Sequence, residues 1–243
     1  MAGRDQPEPG GGARAAVVEG RRPPAPAVMR PAVAAFDFDG TLTSRDTIWP
    51  FLRAAVGRGT LASRLPLALP VLCARGVGLL NATPTKAWLF HLYLRGRSAS
   101  DVRVAAERFV RSELPSLLRA DALARLRWHQ ARGDRCVVVS ASPELYVGCW
   151  AAGAGIEAIG TRLEVDAAGL LTGRYDGRCC DGEEKARRLR ELLGRHDGEL
   201  FAYGDSCGDH ALLAMAQHAY WRVMPPAGHS PHEAGQRAST RVV

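Results

Sequence analysis

The run Cys136-Val137-Val138-Val139 has no polar alternation, so a strand built from it must be covered on both faces, as strands of a parallel sheet are. Parallel strands need crossover connections, and helical patterns alternate here with short apolar runs. Ala32-Val33-Ala34-Ala35-Phe36 and Leu200-Phe201-Ala202-Tyr203 are two further runs of this kind, and Tyr220 to Met224 reads as a last strand. Helices are expected over Pro143 to Ala152, Glu183 to Leu193 and Asp209 to Gln217. Ile156 to Tyr175 reads as two strands around the turn Asp166-Ala167-Ala168-Gly169.

Between the first two apolar runs the pattern is helical. Thr47 to Val56 reads as one helix, and Pro84 to Leu94 as another, with its proline in the first turn. Ser100 to Gln130 is longer and breaks near Pro115; Val102, Ala105, Ala106, Phe109 and Val110 recur at spacings of three and four. The expected fold is α/β, a mostly parallel sheet core with an inserted helical cap domain. Residues 31–46 and 131–226 form the core and 47–130 the cap, between a disordered Gly/Pro/Ala/Arg tail over 1–30 and a loose tail over 227–243. Leu65 to Leu80 is nearly all apolar, but Arg75 and two prolines argue against a membrane span. Two readings stay open for it, a buried helix pair or an interfacial face that touches lipid.

The chain has 243 residues, 47% of them hydrophobic, enough for a sizeable core. Its net charge of +7 favours anionic partners such as phosphate esters or an anionic membrane surface. The arginines are scattered, with no basic patch interleaved with aromatics, so no nucleic-acid partner is expected. Six cysteines lack C-x-x-C or zinc spacing, which points to a reducing, cytoplasmic compartment, with association at the membrane periphery as an option.

The ends of the apolar runs carry the chemistry. Asp37 and Asp39 follow the first run in DFDGT, Ser140 follows the second in VVVSAS, and Asp205 and Asp209 follow a later one in GDSCGD. Lys185 opens a helix in GEEK. In a parallel sheet these ends gather on one edge, where ligands of open α/β sheets bind. Carboxylates, a lysine and a hydroxyl suit phosphoryl transfer. Asp37 would attack phosphorus and form an aspartyl-phosphate. Asp39 would protonate the leaving oxygen and then activate water. Asp37 and Asp205 would hold Mg²⁺, a hard cation that keeps carboxylate and phosphate oxygens together. Ser140, with the Gly40-Thr41 turn, would hold phosphoryl oxygens, and Lys185 would neutralise charge. Asp209 would support Asp205 or metal-bound water.

DFDGT, VVVSAS, GEEK and GDSCGD resemble the four motifs of the haloacid dehalogenase superfamily of phosphohydrolases, over residues 32–224. A helical cap between the first two motifs is similar to the subclass that includes phosphoserine phosphatases. TGRYDGRCCDGEEK and GDSCGDHALLAMAQHAYWRVMP resemble a bacterial branch, the subfamily IB hydrolases, which includes C-type phosphatidylglycerophosphate phosphatases. The resemblance implies a Rossmann-like core and magnesium dependence. It implies Asp37 as nucleophile, Asp39 as acid and base with its carbonyl on the metal, Ser140 and Lys185 on the phosphate, and Asp205 on the metal beside Asp209.

The substrate is then a phosphate monoester, either a lipid phosphate such as phosphatidylglycerophosphate or a small soluble ester such as phosphoserine. Asp46 stands where phosphoserine phosphatases carry a glutamate for the substrate amine, and it is equally placed to cap the helix from Thr47. Arg95 and Arg97 are candidates for a carboxylate-reading cap arginine. A phosphomutase shares this chemistry and differs in not releasing phosphate. A phospho-accepting signalling module lacks the acid that Asp39 places two residues after the acceptor.

Overall fold

The computed structural model describes residues 31–228. The 1–30 tail and residues 229–243 of the expected C-terminal tail lie outside them. Strands β1 (Val33–Phe36), β2 (Arg135–Pro143), β3 (Glu157–Thr161), β6 (Leu200–Gly204) and β7 (His218–Trp221) form one parallel sheet in the order β3-β2-β1-β6-β7. This is the doubly covered α/β sheet that the apolar runs require. Alternate residues face opposite sides. Val33, Ala35, Val137, Val139, Leu200 and Ala202 pack against helices α6 (Glu183–Leu193) and α7 (His210–Ala214) through Leu189, Leu212 and Leu213. Ala34, Phe36, Cys136, Val138, Phe201 and Tyr203 face the larger cluster, with α3 (Ala99–Ser112), α4 (Ala120–Ala131) and α5 (Glu144–Gly153).

The register places the chemistry. Phe36 pairs with Val138 on one side and Tyr203 on the other, and Tyr203 pairs with Tyr220. Asp37, Ser140 and Asp205 each follow these aligned positions by one or two residues, so one sheet edge collects them. The same register stacks Phe36 on Tyr203 at 4.4 Å and Tyr203 on Tyr220 at 4.8 Å. Each such pair contributes about 1 kcal/mol beyond area burial.

Behind this stack runs a buried polar chain. Arg125 Nε donates to the Tyr203 hydroxyl at 2.8 Å, and that hydroxyl lies 2.8 Å from His129 Nε2. His129 Nδ1 lies 2.7 Å from Asp134 Oδ2. These contacts assign the tautomer: Nδ1–H donates to Asp134 and Nε2 accepts from Tyr203. Burial, reinforced by Arg125 and Arg132, pushes the His129 pKa down to about 3, so the ring stays neutral. Tyr203→Phe removes a buried donor and acceptor at once. It is expected to cost about 1–3 kcal/mol in urea unfolding, with the sheet edge and its chemistry intact.

The segments between β1 and β2 are helical, and α4 lies on the sheet through Arg125, Leu126 and His129. α1 (Ile48–Gly76) packs on α2 (Ala82–Leu94), and α2 packs in turn on the hairpin of β4 (Leu163–Val165) and β5 (Leu171–Tyr175). Ile156 to Tyr175 thus holds three strands, because β3 joins the sheet before the hairpin begins. α1 departs from the expected pattern. It is one helix broken only at Gly57, where φ of 78° ends the first piece at Val56. Residues 65–76 continue the second piece. They do not form a buried helix pair: Leu65, Leu67 and Leu69 are exposed, Leu67 at 60%. Pro66 and Pro70 sit four residues apart on an exposed side, where water can satisfy the carbonyls that prolines leave unpaired. Among the described residues no helix is long and apolar enough to cross a membrane.

Candidate active site

Asp37 leaves β1 with its backbone N–H tied to the Tyr203 carbonyl at 2.9 Å, and its side chain is buried. Lys185, only 2% exposed, reaches it from the first turn of α6. Its Nζ donates to Asp37 Oδ1 at 2.5 Å and to Asp209 Oδ1 at 2.5 Å. Burial alone would drive the ammonium pKa down, but the charges of Asp37 and Asp209 outweigh it and raise it. Burial pushes the Asp37 pKa up to about 7, against the pull of Lys185 and with the charges of Asp209 and Asp39 adding to it. Burial therefore outweighs the stabilisation that Lys185 gives this carboxylate.

Asp205 follows β6 at the same edge. Its carboxylate accepts from the Thr41 hydroxyl at 3.4 Å. Burial and then the Asp209 charge raise its pKa, against the pull of Lys185, the Thr41 hydroxyl and Arg222. Gly40 lies against it: a Cβ there would fall 2.2 Å from Asp205 Oδ2, and φ is +83°. Only glycine lets the Asp37 loop approach this closely. Carboxylate oxygens of Asp37, Asp205 and Asp209 lie within 4.8 Å of one another. An all-oxygen set of carboxylates fits a hard divalent cation such as Mg²⁺. Asp209 is the least available of the three. Its Oδ2 accepts from the backbone N–H groups of Asp205 and Ser206 and from the Ser206 hydroxyl, and its Oδ1 holds Lys185. It shapes the Asp205 loop and fixes the lysine.

Asp39 turns the other way. Its Oδ1 accepts from the Thr47 backbone N–H at 2.8 Å and the Thr47 hydroxyl at 2.6 Å, and its Oδ2 accepts from the Ser142 hydroxyl. Lys86 Nζ stands 3.8 Å from Asp39 Oδ2 and 3.9 Å from Asp46 Oδ2. Ser140 is buried, and its Oγ accepts from the Ser142 backbone N–H at 3.0 Å. Asp46 accepts from the Ile48 backbone N–H at 2.8 Å, so it caps α1 while facing Lys86. Its side chain is half-exposed at the cleft mouth; crowding on its cleft side and the Asp39 charge raise its pKa, with Lys86 opposing.

These residues line one cleft of about 410 Å³ between the sheet edge and the α1–α2 pair. Asp37, Asp39, Gly40, Ser140, Lys185 and Asp205 form its floor, and Ile48, Trp49, Leu72, Arg75, Lys86 and Leu89 its wall. Of the residues singled out from sequence, Asp37, Asp39, Gly40, Ser140, Lys185, Asp205 and Asp46 meet here. Thr41 and Asp209 touch the cleft through Asp205 and Lys185. Arg95 and Arg97 line a different cleft, away from this one. Sequence reasoning missed Thr47 and Ser142, which hold Asp39, and Lys86 and Arg75, which bring positive charge from the wall. Ser142 had a signal, being the second serine of VVVSAS. Lys86 and Arg75 had none, since helix spacing alone does not say which turn faces a cleft.

A five-stranded parallel sheet thus gathers a strand-end carboxylate, a buried lysine partner and an acidic second loop at one edge, the groups that phosphoryl transfer uses. The profile of the haloacid dehalogenase-like hydrolases matches residues 34–214, and the chain belongs to that family. It is similar to the protein CicA of Caulobacter vibrioides, 39% identical over 194 residues that cover 79% of this chain and 86% of that one. It is also similar to a probable phosphatase of Mycobacterium tuberculosis, 28% identical over 76% of this chain and 67% of that one. Among solved structures it resembles a protein of unknown function from Bordetella pertussis Tohama I, with a TM-score of 0.66 and 27% identity over 76% of this chain and 87% of that one.

Proposed function

We propose that this hydrolase is a magnesium-dependent phosphomonoesterase that works through an aspartyl-phosphate on Asp37. The observation that carries the reading is the pairing of a buried Asp37 with Lys185 beside Asp205, while Asp39 is held apart by Thr47 and Ser142 in the same cleft. Two acids two residues apart thus have different partners: Asp37 lies against an ammonium that can neutralise it during attack, and Asp39 is held by hydroxyl and N–H donors that orient it for proton transfer.

Asp37, Asp205 and the Asp39 carbonyl would hold Mg²⁺, whose bound charge screens the phosphate from the attacking carboxylate. Asp37 attacks phosphorus, the ester P–O bond breaks, and the Asp39 carboxyl gives its proton to the departing alkoxide oxygen. Water then attacks the acyl phosphate. Asp39 takes the water proton, the P–O bond to Asp37 breaks, and inorganic phosphate leaves. Lys185 stays charged throughout and neutralises Asp37 and the phosphoryl oxygens. Ser140 and the Gly40-Thr41 turn orient those oxygens.

The preferred substrate class is a lipid phosphate monoester such as phosphatidylglycerophosphate, which brings contact with an anionic membrane. Support comes from the wall, where Ile48, Trp49, Leu72 and Leu89 offer apolar contact and Arg75 and Lys86 offer cations for a further anionic group. A small soluble ester such as phosphoserine is the second reading, and it rests on Asp46 in the same wall. Asp46 is already engaged by the Ile48 N–H and Lys86, which weighs against its reading a substrate amine. Phosphate release from phosphatidylglycerophosphate in mixed micelles, run beside L-phosphoserine, tests the choice. A clear preference for phosphoserine overturns the lipid reading. EDTA is expected to stop turnover by at least about a hundredfold and added Mg²⁺ to restore it. Metal-independent hydrolysis would remove Asp205 from its role.

A further inference from the structure

α1 is apolar on both sides. Leu61 and Leu72 pack inward, while Leu65, Leu69, Cys73 and Val77, at intervals of four, form an exposed stripe. Leu79 extends it at 78% exposure. Single exposed leucines are ordinary, but a stripe along three turns is not. Charge says what covers it. Between Asp46 and Asp101 there are seven arginines and lysines and no acid; Arg53 pairs with Glu113 and Lys86 faces Asp39 and Asp46, and the other five, Arg58, Arg64, Arg75, Arg95 and Arg97, are exposed or half-buried. Arg64 turns inward and donates to the Leu92 carbonyl, lining a cleft of about 410 Å³ with Arg95, Arg97 and Asp101, while exposed Arg58 precedes Leu65 by seven residues on the stripe's side of the helix. A second copy would bring the same positive face and be repelled. An anionic bilayer complements both the stripe and the cations.

We propose that residues 58–79 are an interfacial docking surface that seats this chain on anionic lipid, with Leu65, Leu69 and Val77 in the acyl boundary and Arg58, Arg95 and Arg97 at the headgroups. Leu72 and Arg75 of the same helix wall the catalytic cleft. Docking therefore brings the cleft within about one helix diameter, ~10 Å, of the lipid headgroups. This deepens the lipid-phosphate reading given above by naming the surface that delivers such a substrate.

The test is co-sedimentation of the full chain with vesicles of phosphatidylcholine alone or with about 30 mol% phosphatidylglycerol, a composition at which basic surface clusters bind. The chain is expected to bind the anionic vesicles, at least about tenfold more tightly than the neutral ones, and to be released by salt. Leu65→Ser with Leu69→Ser is expected to weaken that binding at least about tenfold. Neither residue lines the catalytic cleft, so hydrolysis of a soluble aryl phosphate is expected to be unchanged in this variant. No sedimentation with anionic vesicles overturns the proposal. So does full binding by the double variant, or a dimer in solution that the double variant abolishes. Vesicle binding without aryl phosphate hydrolysis supports this surface while sinking the catalytic reading.

Discussion

Asp37→Asn is expected to bring phosphate release down to background, a loss of at least about ten-thousandfold, because an amide cannot form or turn over an acyl phosphate. The fold is expected to survive. Burial has already raised the Asp37 pKa to about 7, so a charged Asp37 is a burden on the folded state at neutral pH, not a support. The amide keeps the side-chain shape, and its oxygen can still accept from Lys185 Nζ. Lys185 keeps its second partner, Asp209, at 2.5 Å. Urea unfolding without metal is therefore expected to shift by no more than about 1 kcal/mol. A variant that folds normally and still turns over at the parent rate would remove Asp37 from the chemistry and with it the aspartyl-phosphate reading. A variant that unfolds would instead mean that the Asp37–Lys185 pair holds the sheet edge together, which the raised pKa argues against.

The floor of the cleft was legible in the sequence because it follows from strand ends. A parallel sheet puts successive carboxyl ends on one edge, so DFDGT, VVVSAS and GDSCGD had to converge once the apolar runs were strands. Lys185 was legible for a related reason: it opens a helix that returns to the same edge, three residues after the Gly182 turn. The wall was not legible. Lys86 and Arg75 face the cleft only because α1 and α2 pack in one relative rotation, and that rotation is set by contacts far apart in sequence. The exposed stripe was legible only as a pair of alternatives, a buried helix pair or an interfacial face, and the exposure of Leu65, Leu67 and Leu69 removes the first. An apolar run predicts burial by something, but the something need not be in the same chain. The edge of the last strand was also displaced: it was expected over Tyr220 to Met224 and lies over His218–Trp221. Pairing with β6 decides it, since Phe201 meets His218 and Gly204 meets Trp221, and Arg222 at φ 55° then turns the chain away. Ring stacking of His218 on Phe201 at 4.4 Å favours that register, a term that hydropathy alone does not carry.

Lys185→Met is expected to do damage of a different kind, to stability as well as rate. Methionine fills the same space without charge, so the loss is electrostatic. Asp37 and Asp209 then face each other in a buried site with no cation between them. Breaking a buried ion network by removing one partner costs about 3–5 kcal/mol. The pH dependence identifies the cause. Asp37 is an acid whose pKa is raised on folding, so the folded state holds its proton longer than the unfolded chain does. Stability is therefore lost as pH rises from about 4 through 7, and Lys185 is the group that limits this loss. Removing it makes the loss steeper. In EDTA, urea unfolding should show a deficit relative to the parent that is already present near pH 5, where Asp209, which Lys185 holds below the usual carboxylate range, has lost its cation, and that grows towards pH 8 as Asp37 ionises as well. A deficit that stays flat across this range would trace the effect to packing instead of charge. Turnover in saturating Mg²⁺ is expected to fall at least about a hundredfold, since the metal can take over part of the neutralisation but not the hydrogen bond to Asp37. Added Mg²⁺ should recover more stability in the variant than in the parent, because a cation at Asp37 and Asp205 supplies the charge that the missing ammonium left unbalanced.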